Sequence, residues 1–575
     1  MRPPPSPSLH RVIALLACAS LAAGLGGCGS SHSVGAGSDP ARVVPATAAL
    51  YAGAIVRPSG SLQAGAQALG QTLARERDPY LRLLGALQTP GSPRLDFRRD
   101  VAPWLGAQAG IFASAPGPSG HLDAGPLFDP LRGLLSGSNV TFPFVARAGG
   151  ASATQGAIVL DTTDSRAARS FLDAQATRAG ARATSYRGVR YRATTDGVAF
   201  ALVNRFAVIG SEPALHGVID TAAGGASLAH SSGYASLLAL APAQALAHLY
   251  LGAGAAAGGG SGSRTSAAPG LLALLTGGRT ANVSLLPSRS SIALDADTIA
   301  STPSATTGGL LSPGAEGGRA LGELPGDSYV AIGLGATTLP VFVRALRGLL
   351  APGTSTAPTP SISVKGLLGA LLAPVSAMTE SSASARRDFQ SWMGPGALFA
   401  SGSGLVDLNA GLVISSKNPA LSRAAVAKLA ARLRSSGASV RAASIPGTDA
   451  ALSATLTGLP VALDIADGRD AKGQTKFVIG LGEPSVAAAL TPSGTLSAAS
   501  SYGAAGAALG EGIQPSLILQ PPTLLSLLEG AGLSEDPTIA PILPYLRPLT
   551  TIAGGTKSLG SGVERFRLVL SLRGG

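Results

Sequence analysis

The residue types that could do chemistry are few and widely spaced. Arg99, Asp100 and Trp104 stand in RRDVAPWLGAQAGIFAS (98–114), and Arg387, Asp388 and Trp392 stand in RRDFQSWMGPGALFAS (386–401). An ion pair beside a buried indole ties a helix down, and that structural use is expected; because both copies hold it, a paired ligand contact is the competing use. His216, His230 and Asp220 could form a metal or acid–base cluster, but a structural or solvated role is expected. His32, His121 and His248 complete the histidines beyond residue 27. VIGSEP (208–213) and VIGLGEP (478–484) have neither the lysine of a phosphate loop nor a GxGxxG turn. They read as a strand ending at Gly210 or Gly480, with Glu-Pro opening the next helix. No Ser-His-Asp order, GxSxG elbow, HExxH helix or dense carboxylate cluster occurs. The reading is therefore no catalytic residue, no cofactor and no metal, and an enzyme only as the alternative, an envelope hydrolase or similar with a cleft site not recognisable from sequence.

The amino end holds the most specific signal. Arg2 and Arg11 lead into an apolar run, Val12 to Leu25, with no acidic residue before Cys28. The run is shorter than the roughly 20 residues that span a bilayer. Leu25-Gly26-Gly27-Cys28 resembles the lipobox of bacterial lipoprotein signals. That resemblance implies cleavage before Cys28, a diacylglyceryl group on its thiol, and a further acyl chain of the palmitate kind on the new amino terminus. Two or three such chains anchor a protein where one does not. Residues 1–27 are thus expected to be a cleaved lipoprotein signal peptide and 28–40 a flexible tether. Cys18 lies in the signal, so the exported body has no disulfide and no cysteine nucleophile. The expected place is the extracytoplasmic side of the cell membrane.

Composition bounds the rest. The 575 residues exceed one ordinary core. Mean hydropathy is +0.32, yet aromatic residues are only 4 %, so much of the apolar content is alanine, which buries little area. Losing Arg2 and Arg11 lowers the formal charge from +12 to +10. That excess suits anionic lipid heads or acidic wall polymers. Nucleic acid is excluded as a partner, since the arginines are scattered without interleaved aromatics.

The elements that must position these residues repeat. The two Trp segments carry the chain's only tryptophans. FAVIGSEP (206–213) answers FVIGLGEP (477–484), and SLAHSSGY (227–234) answers TLSAASSY (495–502). VVPATAALYAGAIV (43–56) resembles ELPGDSYVAIGLG (323–335), and GAIVLDTTDSRAARSFLDAQATRAG (156–180) resembles GLVISSKNPALSRAAVAKLAARLRSSG (411–437). The order gives two related units, 41–305 and 321–575, joined by a linker, 306–320. Asp164 and Asn418 are placed to cap the helices that follow them, with Pro419 at a first helical position. Residues 182–210 alternate apolar and polar around short turns, which predicts antiparallel strands with one wetted face. The fold class is α+β: two homologous units, each an antiparallel β-meander packed against helices. LLALLTGG (271–278) and PPTLLSLLEGAGL (521–533) read as core or as the wall of a hydrophobic groove.

VPATAALYAG, GVRYRATTDGVAFALVNRFAVIGSEP with its helix, and SLAHSSGY together resemble the bacterial domain-of-unknown-function 3352 family (DUF3352), across most of residues 41–575. The resemblance implies a membrane-associated or exported protein and brings no catalytic residues; residues 441–470 depart from it. The functional expectation is a non-catalytic, membrane-anchored lipoprotein that binds an apolar ligand, a glycan or an envelope protein.

Overall fold

The structure, a computed structural model, describes residues 38–71, 96–114, 155–252, 279–299, 314–340, 342–343, 364–380, 382–402, 407–456, 461–530, 532, 534, 540, 543–560 and 562–573. Cys28, His32, His121 and the 271–278 segment lie outside them. The described chain divides into two compact units, 38–299 and 314–573.

Unit one contains strands β1 (Leu50–Ile55), β2 (Leu105–Ser114), β3 (Gln155–Thr162), β4 (Arg182–Tyr186), β5 (Val189–Ala193), β6 (Val198–Val203), β7 (Phe206–Ser211), β8 (Ala247–Leu251), β9 (Thr280–Pro287) and β10 (Ser291–Ile299). Every pairing is antiparallel, in the order β4-β5-β6-β7-β3-β2-β1-β8-β9-β10. Its helices are α1 (Gly60–Leu69), α2 (Ser165–Arg178), α3 (Glu212–Ala222) and α4 (Ser232–Leu240).

Unit two has α5 (Gly314–Gly322), β11 (Val330–Leu334), α6 (Val364–Glu380), α7 (Ala383–Trp392), β12 (Met393–Ser401), β13 (Asn409–Ser416) and α8 (Pro419–Ser435). Then come β14 (Ser439–Ala442), β15 (Thr448–Thr455), β16 (Leu463–Arg469), β17 (Thr475–Leu481), α9 (Glu483–Leu490) and α10 (Ser500–Leu509). β18 (Gln514–Leu519), α11 (Pro521–Gly530), α12 (Leu543–Leu546), β19 (Leu549–Gly560) and β20 (Val563–Leu572) close it. Within this unit the antiparallel order is β14-β15-β16-β17-β13-β12-β11-β18-β19-β20. Strand for strand, this is the order of unit one.

Neither sheet is the single meander that the sequence suggests. After β3, helix α2 carries the chain to the sheet edge, and β4 to β7 walk back until β7 pairs with β3. The expected wetted face is confined to the outermost strands. β4 has four exposed residues in a row, whereas β7 and β17 are buried along nearly their whole length on both faces. The reason lies in the helices on either side. Phe171 and Leu172 of α2 pack with Phe200 and Ile209 on one face of unit one, and Leu215 and Val218 of α3 share the other with Ala201 and Val208.

Helix starts follow local chemistry. Asp164 Oδ1 accepts the amides of Arg166 (2.9 Å) and Ala167 (3.0 Å), and Asn418 Oδ1 accepts that of Leu421 (3.2 Å). Glu212-Pro213 and Glu483-Pro484 open α3 and α9. Ser38 and Pro40 are buried, and Asp39 caps a 3-10 turn, Pro40–Arg42, so the packed body begins within the stretch read as tether. Likewise α5 starts at Gly314, inside the stretch read as linker.

Candidate functional site

The Arg-Arg-Asp-…-Trp segments take the same place in both units. In unit one a π-helical turn, Phe97–Val101, delivers Trp104 to the start of β2. In unit two α7 delivers Trp392 to the start of β12. The Trp104 carbonyl accepts the Thr163 amide at 2.8 Å, and the Trp392 carbonyl accepts the Lys417 amide at 2.7 Å. Each indole is therefore fixed to the joint between the third strand of its unit and the helix that follows. Both are buried, at 1 % and 2 % exposure. Trp104 stacks obliquely on Phe171 at 5.1 Å, and Trp392 lies between Phe389 (5.2 Å) and Phe477 (5.0 Å).

Strand register defines which residues correspond. Gln155 lies opposite Ser114, and Asn409 opposite Ser401. Ala157 therefore takes the place of Gly411, one residue on from the alignment that the matching glycines suggest. Carried into the helices with the caps Asp164 and Asn418, this makes Ala174, Gln175 and Arg178 the counterparts of Lys428, Leu429 and Arg432.

Beside each indole the turn and the helix leave a hollow. In unit one it is about 300 Å³, lined by Pro103, Trp104 and Phe171 on the apolar side and by Arg99, Asp100, Gln175 and Arg178 on the polar side. Asp100 Oδ1 accepts Arg99 Nε at 2.7 Å, Asp100 Oδ2 accepts the Asp96 amide at 2.8 Å, and the Asp100 carbonyl accepts Trp104 Nε1 at 2.8 Å. The hydrogen bond from Arg99 holds the Asp100 carboxyl below the usual range, so it is ionised. In unit two the hollow is about 130 Å³, lined by Phe389, Trp392, Leu429, Asp388, Lys428 and Arg432 among others. There Asp388 Oδ2 accepts Lys428 Nζ at 2.7 Å, which holds that carboxyl low as well. The partner expected from the sequence, an adjacent arginine, is correct for Asp100; for Asp388 it is Lys428, because α7 turns the carboxylate toward α8. Arg387 is exposed, on α7.

The histidines do not assemble as the cluster considered above. His216 stacks on Tyr186 at 3.9 Å, with Nε2 2.9 Å from the Tyr191 hydroxyl, which donates to Glu212 Oε1 at 2.6 Å. Burial and Glu212 push the Tyr191 phenol up to about 12. Asp220 is reached by Tyr186 Oη (3.3 Å) and paired with Arg187 (2.9 Å), while His230 bonds to Ser227 Oγ at 2.8 Å. Among the described residues no group of three or more His, Cys, Asp and Glu could hold a metal.

Sequence reasoning missed other buried polar groups. In unit one Tyr234 Oη lies 2.9 Å from His248 Nε2, beside Tyr51, and burial lowers His248 to about 4. Gly53 faces that ring so closely that a β-carbon there would sit 2.6 Å from His248 Cε1. In unit two Lys476 Nζ donates to Glu323 Oε2 (2.7 Å) and Ser415 Oγ (3.1 Å) while 4 % exposed. Gln175 carried a usable signal: a polar residue four positions after Phe171, on the stripe of α2 that faces the core.

Architecture defines the class as an α+β protein whose sheets are antiparallel throughout and covered by helices. The chain belongs to the family described as protein of unknown function (DUF3352), whose model matches residues 12–512. No curated protein and no solved structure matches the chain. Among the described residues no helix is long and apolar enough to cross a membrane, which says nothing of strands.

Proposed function

We propose that this chain is a non-catalytic lipoprotein of the cell envelope, anchored on the extracytoplasmic side through acylated Cys28, whose body is an internal duplication built for binding. The observation that carries the anchor is the order at the amino end: arginines, an apolar run, then Leu25-Gly26-Gly27-Cys28. Gly29 to Ser38 is a run of small and polar residues, which suits a short tether. The family match begins at Val12 and so takes in the apolar run and Cys28.

The duplication is supported by the common strand order and by details that a shared fold alone does not require. Pro45 bridges Ser227 and Pro325 bridges Thr495. The amide after each bridge bonds alike, Leu228 to the Val44 carbonyl at 2.8 Å and Leu496 to the Leu324 carbonyl at 2.7 Å. A binding role is supported by the two hollows beside Trp104 and Trp392.

Intact-mass measurement on protein extracted with detergent from its own host tests the anchor. The expected mass lacks residues 1–27 and carries a diacylglyceryl increment on Cys28. An uncut chain would overturn the anchor, and a cut but unacylated one would make the protein secreted.

A further inference from the structure

We infer that the hollow beside Trp104 in unit one is a binding site for a small, hydroxyl-rich organic anion of the sugar-acid class. The inference rests on reading the body as a binding protein, and not on the lipid anchor.

The first ground is an unsatisfied polar group. Gln175 lines the hollow, is 2 % exposed, and its Oε1 has no hydrogen-bond partner. A buried amide oxygen without a partner is costly, and Gln175 belongs to the wall of the hollow. At the corresponding position unit two has Leu429, 1 % exposed and packed in its core. The frame therefore accepts a leucine there, and packing does not call for the amide.

The second ground is that unit two narrows the same hollow with its own side chains. Lys428 reaches across to Asp388, and Arg432 donates to the Ala377 carbonyl. In unit one Ala174 replaces the lysine and leaves the hollow open. Arg178, the counterpart of Arg432, makes no hydrogen bond or ion pair among the described residues, although its charge acts on Asp100.

The chemistry of the open groups selects the ligand. A planar guanidinium takes a carboxylate in two parallel bonds. The ionised Asp100 accepts hydrogen bonds only, so a bare anion is repelled there and a hydroxyl is welcome. Gln175 takes a second hydroxyl. Pro103, Phe171 and Ala174 offer carbon surface to the C–H face of a ring. A hydroxylated ring bearing a carboxylate meets all three demands at once.

The test titrates the full chain, carrying Trp392→Phe so that Trp104 alone fluoresces, with glucuronate, glucose and acetate. Glucuronate is expected to give a saturable change with a Kd near about 1 mM or tighter, and each of the other two to bind about tenfold more weakly or not at all. Calorimetric titration of the unsubstituted chain should give the same order without relying on the fluorescent variant. Gln175→Leu, which installs the residue of unit two, is expected to weaken glucuronate about tenfold while raising the unfolding midpoint; Arg178→Gln should reduce glucuronate to the level of glucose. No saturable response to glucuronate, equal binding of glucose or acetate, or full affinity in Gln175→Leu would each overturn the site. An unacylated mass would leave the titration standing, and a failed titration would leave the anchor standing.

Discussion

The two units share a strand order and differ in what they bury. The cross-strand pair Asp161–Phe206 of unit one stands where unit two has Ser415–Lys476. In the first, Asp161 is 1 % exposed and held by Arg205 at 2.7 Å. In the second, a lysine is buried and held by Glu323. The buried charge has changed sign while the β-ladder around it is unchanged. Backbone pairing and small residues fix such a sheet, and each buried charge needs only a partner of opposite charge within reach. The hollows differ as well, one spanned by the Lys428–Asp388 ion pair and the other without a lysine at that place.

The largest expected effect tests what the units have in common. Trp104→Ala and Trp392→Ala should each cost about 3–5 kcal/mol, read from urea unfolding, because both indoles are core. A cost below about 1 kcal/mol at either site would mean that the shared segment is not a structural anchor in that unit.

Acid should separate the units next. His248 is depressed to about 4, so between pH 6.5 and 4 the unfolded chain takes up a proton that the folded one refuses. Unit one should lose up to about 3 kcal/mol across that window. Asp39, raised by burial, opposes part of this loss. In unit two Asp464 and Asp467 are raised by burial. The folded form there binds protons before the unfolded one does, so acidification toward and into the carboxylate range stabilises it. The urea midpoint followed by Trp104 in Trp392→Phe should fall as pH falls from 6.5 to 4, while that followed by Trp392 in Trp104→Phe should hold, and rise as pH enters the carboxylate range. Parallel curves would end the contrast, and His248→Gln should flatten the first curve alone.

The smallest effect is expected at Lys428→Ala. Lys428 and Asp388 are 64 % and 63 % exposed at the side chain, and such pairs add little. The thermal midpoint should stay within error while the Asp388 carboxyl, followed by NMR, rises toward its ordinary range. A midpoint falling as far as in the Trp variants would make the ion pair a structural strut.

Much of this frame is legible in the amino-acid sequence. The Trp segments, the Glu-Pro helix starts and the Asp164 and Asn418 caps can be placed because local chemistry determines them. The return of β7 to β3 cannot be read, because pairing partners depend on where α2 deposits the chain and not on the strands themselves. The alternation in 182–210 signals strands but not their covering, since alanines and glycines on the second face look wetted until α3 lies on them. The hollow was half legible. Asp100 and Trp104 stand out as a repeated motif and Gln175 as a polar residue on a core-facing stripe, whereas Arg178 matters only through its distance from them in space.

The position of β1 has a consequence for how each unit comes into being. Its first partner, β2, is made soon after it, but its second, β8, pairs Leu50 with Leu251, 201 residues later (251 − 50). In unit two Val330 waits 189 residues for Leu519 (519 − 330). Until that closing strand arrives, a row of unpaired amides and carbonyls stays open to any passing strand. Closure over so long a loop is also slow. The centre of each sheet is therefore closed late, and the nascent chain is at its most adhesive just before the last quarter of each unit is made.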